Sequence, residues 1–132
     1  MVDALRRARR IVRPDGFVLD VHPTSAYAVL EIGSHVVGTV SPGDAPQRHQ
    51  AATEAVTTAL QRGWFACEAA AEFSFLTYGD SIDELRDYIT ENWRDTTIDA
   101  ATVARARAAL ETRPGHKPSV REHVHAVKLR PR

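Results

Sequence analysis

Apolar residues along the chain recur with two periods, and the changes between them fall at prolines and glycines. Leu5, Ala8 and Val12 share one face of a helical turn, and the breaker Arg13-Pro14-Asp15-Gly16 ends that helix, because proline cannot continue it and Asp-Gly offers a turn with positive φ. The run Phe17-Val18-Leu19-Asp20-Val21 then reads as a strand with apolar side chains pointing both ways, the habit of parallel strands covered on both faces. Ala26–Ile32 and His35–Val40, joined by Gly33-Ser34, read as a β-hairpin.

Beyond the Ser41-Pro42-Gly43 turn, Asp44 and Gln47 match a capping pair, with Pro46 in the first helical turn. Ala51, Ala52, Ala55, Val56, Ala59 and Leu60 give that helix a small-residue stripe that ends at Gly63. Phe65–Leu76 alternates as a strand, with Phe65, Cys67, Ala69, Ala71, Phe73 and Phe75 on an expected core face. Ser81 with Glu84 opens a helix carrying Ile82, Leu85, Tyr88, Ile89 and Trp93 on one face and acidic residues elsewhere. Another helix spans about Asp99 to Glu111, and the last strand spans Val120–Leu129.

The stretch from Ala4 through Arg13-Pro14-Asp15-Gly16 to Val21 resembles the helix, "LRPGG" turn and fifth strand of class I S-adenosylmethionine-dependent methyltransferases, with Asp15 in place of the first glycine of that turn. The order of elements that follows is similar to that family's C-terminal half. The resemblance implies a partial Rossmann-like methyltransferase fold of the α/β class, read as a single domain over residues 1–132. Its mixed sheet would place Val120–Leu129 antiparallel between Phe17–Val21 and Phe65–Leu76, with helices on its faces and the hairpin, about residues 26–40, as an insertion. Crossovers through helices would make the first two strands parallel.

In the family the cofactor sits on the first strands, over a Gly-rich loop. The seven glycines here stand one by one, so no cofactor-binding residue is assigned and S-adenosylmethionine is expected only where another chain supplies the cofactor half.

Composition narrows the alternatives. The chain has 132 residues, enough for one compact domain, and Lys+Arg and Asp+Glu balance at 17 each, so no global field favours nucleic acid or an anionic membrane. Arg6, Arg10 and Arg13 form a basic stripe, read as a solvated or ion-pairing face. No stretch approaches a membrane span and no secretory leader is recognised, so a cytoplasmic location is the expectation. Cys67 is single and reads as an inert buried thiol.

Candidate chemistry is sparse, and no catalytic residue is assigned. Asp20 and His22 stand at the carboxyl end of a strand, where ligands of open α/β sheets collect, although turn-forming roles are preferred. Hairpin insertions beyond the fifth strand often wall the family's substrate cavity, which makes Tyr27, Glu31 and His35 substrate-side candidates beside a preferred structural role. His123 and His125 share a strand but lack a third ligand at fixed spacing, so no metal is assigned.

Two functions remain: a non-catalytic, methyltransferase-derived module that dimerises or binds a protein partner, or the C-terminal piece of a split methyltransferase acting on a small molecule. The first is preferred. Its physical basis is the Phe17–Val21 strand, whose neighbour on one side is missing and whose open edge either the hairpin or a second copy would cover.

Overall fold

The computed structural model describes all residues from Met1 to Arg132. Its elements, in chain order, are α1 (Val2–Ile11), β1 (Val18–Pro23), β2 (Val29–Ile32), β3 (His35–Thr39), α2 (Ala45–Gln61), β4 (Phe65–Tyr78), α3 (Ile82–Asn92), α4 (Ala100–Thr112) and β5 (Pro118–Pro131). The fold is α/β, with one open five-stranded sheet and four helices. The strand order is β1-β5-β2-β3, and β4 also pairs with β5.

The last strand is therefore the centre of the pairing, and it meets its neighbours head to tail. β1 pairs with it antiparallel from Val18 opposite Leu129 to Pro23 opposite Val124, and β2 from Val29 opposite Arg121 to Ile32 opposite Pro118. Along β4 the contacts Glu68–Lys128, Ser74–His123 and Gly79–Pro118 also run in opposite directions. The expected mixed sheet is corrected in this respect. β5 does lie antiparallel between β1 and β4, but no two hydrogen-bonded neighbours are parallel.

The chain forms two compact units. The first comprises Met1–Ser25, Gln47–Phe73 and Val124–Arg132; the second comprises Ala26–Pro46 and Ser74–His123. In the first, Leu5 of α1 and Ala55, Val56 and Ala59 of α2 pack with Phe65, Val127 and Leu129. The alanine stripe lets α2 lie close on the sheet, and each large apolar side chain withdrawn from water stabilises the unit by about 1.5–3 kcal/mol. Gly63 closes α2 with a φ of 67°, and its amide donates to Leu60. Arg9 donates to the Trp64 carbonyl at 3.3 Å and to that of Arg132 at 2.6 Å, so one arginine of the basic helix has a structural task.

In the second unit β2 and β3 form the expected hairpin. Gly33 takes a φ of 62° while Ser34 stays negative, the pattern of a type II′ turn. Leu30, Ile32, Val37 and Val120 meet Leu85 and Ile89 of α3 and Val103 and Ala106 of α4. The helix starts follow the capping chemistry. Ser81 Oγ accepts from the Glu84 amide at 3.1 Å, and Asp99 Oδ1 from the Thr102 amide at 2.7 Å. The acidic residues of α3 are partly matched within the unit, since Asp83 contacts Arg107 at 2.7 Å and Arg86 at 3.4 Å. A bridge between Ser41 and Thr97 draws Gly43 beside Asp95, both at positive φ.

Two expectations about burial are corrected. β1 is not covered on both faces: Val18, Asp20 and His22 point to the covered side, whereas Leu19 and Val21 are 58% and 50% exposed. On β4 only Phe65 is buried. No helix packs over the rest of its alternating face, so Cys67 is exposed rather than an inert core thiol, and Phe73 and Phe75 are 47% and 57% exposed.

Candidate functional site

The first unit brings Asp20 and His22 together. Two residues apart on β1, they fall on the same face of the strand, the one turned toward α2. His22 is 6% exposed and the Asp20 side chain 9%. Their contact, Nδ1 to Oδ2, is 2.6 Å. A carboxylate can only accept, so Nδ1 carries a proton. Nε2 lies 3.1 Å from Thr53 Oγ1 on α2, and the His125 ring stands edge-on with its centroid 5.8 Å away.

Thr53 Oγ1 also lies 3.3 Å from the carbonyl of His49, one helical turn earlier. His49 Nδ1 in turn donates to the Thr24 carbonyl at 3.0 Å. Burial pushes the His49 pKa below the ordinary histidine value; the bond to Thr24 opposes this, and the positive charge of Arg48 and the nearby His22 add to it. The arrangement holds the imidazole in a dry setting, with Nδ1 donating to Asp20 and Nε2 turned to the Thr53 hydroxyl, which itself donates to the His49 carbonyl.

The second unit holds Glu31, which the sequence marks as substrate-side, in a polar cleft of about 360 Å³. Its carboxylate is buried and receives Arg121 Nε at 2.9 Å and Nη2 at 3.3 Å, a two-pronged pairing that raises the Arg121 pKa. Tyr78, His116, Lys117 and Ser119 complete the polar wall. Lys117 is bound to Asp80 at 2.5 Å, which raises the lysine and lowers the aspartate. His116 lies so close to Gly33 that a Cβ there would come within 2.9 Å of the ring.

The remaining candidates do not join these groups. His35 is exposed and lines a different cleft with Arg105 and Arg113, and Tyr27 is 56% exposed. His123 and His125 have other neighbours, Ser74 and His22, and no cluster of three or more His, Cys, Asp or Glu side chains is placed to hold a metal. The strand-to-helix connections after β3 and β4, residues 40–44 and 79–81, carry one glycine each, so the residues present do not form a Gly-rich cofactor loop.

Thr53 and Arg121 lie outside the sequence-marked set. The signal for Thr53 is the i, i+4 row His49, Thr53, Thr57 beside the alanine stripe of α2. For Arg121 it is a basic residue alternating with Ser119 along a strand. No helix is long and apolar enough to cross a membrane. Neither family models, curated proteins nor solved structures gave a match to this chain.

Proposed function

We propose that the chain is a methyltransferase-derived module that acts by associating with a second copy of itself rather than by catalysis of its own. The observation that carries this reading is β4. It is a fourteen-residue strand paired only with β5, exposed along most of its length, and bearing two half-exposed phenylalanines. A long apolar edge of that kind is a site of association. The Rossmann-like part of the reading rests on the stretch from Ala4 to Val21, and the placement of β5 antiparallel between β1 and β4 is in keeping with what that resemblance implies. Sedimentation at low micromolar concentration tests the proposal: a dimer is expected, and a monomer of 14.6 kDa would overturn it.

A second reading, the C-terminal piece of a split methyltransferase, is favoured by a different observation. The Asp20–His22 pair stands at the end of β1, and β1 has one open edge with Leu19 and Val21 bare beside it. A complementary chain adding strands there would bring the cofactor loop, and His22 would serve as the base on the acceptor substrate. Both readings expect no saturable binding when the isolated chain is titrated with S-adenosylmethionine, so that titration tests the premise they share. Binding at micromolar ligand, about −8 kcal/mol, would assign a cofactor site to this chain's own residues.

A further inference from the structure

We infer that two copies join edge to edge through β4, antiparallel, about a two-fold axis at Ala71; the inference rests on the homodimer reading and adds its geometry. A two-fold pairing of identical strands must set each residue opposite a partner equally far beyond the axis, so the strand has to be complementary to its own reverse. β4 is divided in this way. Its first half, Ala66-Cys67-Glu68-Ala69-Ala70, is mostly small, and its second half, Glu72-Phe73-Ser74-Phe75-Leu76, carries the bulk.

With Ala71 on the axis, Ala69 faces the second copy's Phe73 and Cys67 faces its Phe75. Glu68 then faces Ser74, Ala70 faces Glu72 and Ala66 faces Leu76. Directly opposed residues of an antiparallel pair project to the same side of the sheet, so each phenylalanine, half-exposed in the single chain, is received by a small residue.

Neighbouring registers are worse for a stated reason. An axis at Glu72 sets that carboxylate against its own mate, and an axis at Ala70 sets Glu68 against Glu72; like charges directly opposed are destabilising. Axes further from the middle leave part of the strand unpaired. The edge also lacks the usual protection against pairing. β4 contains no proline, and of its two charged residues Glu68 is drawn onto its own sheet by Lys128 at 2.8 Å and Arg130 at 2.7 Å. β1 is a poorer choice for a second copy, being six residues long and ending in Pro23.

The test is disulfide trapping of the full chain. In a Cys67→Ser background, Ala71→Cys places two thiols on facing residues roughly 4.5–5.5 Å apart at Cα, within disulfide reach. Mild oxidation is expected to convert most of the chain to a covalent dimer. Ala69→Cys in the same background is the control, since its mates stand four residue positions apart, roughly 13 Å, and should remain thiols. A sedimenting dimer in which Ala71→Cys fails to crosslink overturns the β4 register and leaves the homodimer reading standing; a monomer overturns both. Independently of any cysteine, Phe73→Lys with Phe75→Lys, both exposed in the single chain and so tolerated by its fold, is expected to give a folded monomer. A persistent dimer there also refutes the inference.

Discussion

Truncating the buried pair on β1 gives a quantitative check of the first unit. Asp20 and His22 are held 2.6 Å apart with almost no solvent contact, so removing either leaves the other unsatisfied. His22→Ala strands a buried carboxylate and deletes a ring packed on His125, which by comparison with broken buried pairs costs about 3 kcal/mol. Asp20→Ala leaves a ring N–H without an acceptor, at about 2 kcal/mol. With both removed, no orphan remains, and the double variant should lose only about 3 kcal/mol. The coupling is then about 2 kcal/mol, within the range for contacting residues. Urea unfolding followed by circular dichroism measures all three; for a slope of about 2 kcal/mol/M the midpoint of His22→Ala falls by about 1.5 M. Additive losses, with a coupling below about 0.5 kcal/mol, would refute the dry, mutually dependent pair.

Burial raises the Glu122 pKa, so the folded state keeps its proton to higher pH than the unfolded chain, and stability falls as pH rises above the ordinary glutamate value of 4.5. Glu122→Gln should therefore raise the urea midpoint at pH 7 and leave it nearly unchanged at pH 3.5. His49 shifts the other way: its lowered pKa gives stability that is present above 6.5 and is lost as pH falls below it, and His49→Gln should flatten that part of the pH–stability curve. Gly43 and Gly63 have similar positive φ, 55° and 67°, but a Cβ at Gly43 would lie 2.6 Å from the Asp95 carbonyl and one at Gly63 would meet nothing. Alanine at Gly63 should cost about 1 kcal/mol and alanine at Gly43 clearly more, read as the difference in melting temperature.

Local rules carried much of the fold into the sequence. Proline and glycine fixed the ends of α1 and α2, Gly33-Ser34 fixed the hairpin, and Ser81 and Asp99 fixed two helix starts, because each acts through its own backbone neighbours. Cover is a different matter. The apolar run Phe17–Val21 looks identical whether a helix or water lies above Leu19 and Val21. The alternation from Phe65 to Phe75 likewise does not reveal that packing stops after Phe65. Asp20 and His22 were visible as a pair two apart on a strand, while their partner Thr53, 31 residues beyond His22, depended on how α2 docks. Glu31 stood out on the hairpin, but Arg121, which gives it a reason to be buried, lies 90 residues away.

The position of β5 has a consequence for how the molecule is made. β1, β2 and β4 all take their main-chain partners from this strand, and all three are synthesised before it. Until residues 118–131 leave the ribosome, the earlier strands have no ladder to join apart from the β2–β3 hairpin. Pairings that span so much sequence close slowly, and the nascent chain must meanwhile present the Phe17–Val21 and Phe65–Leu76 segments unpaired. Those are the segments that a chaperone binding extended apolar chain would grip.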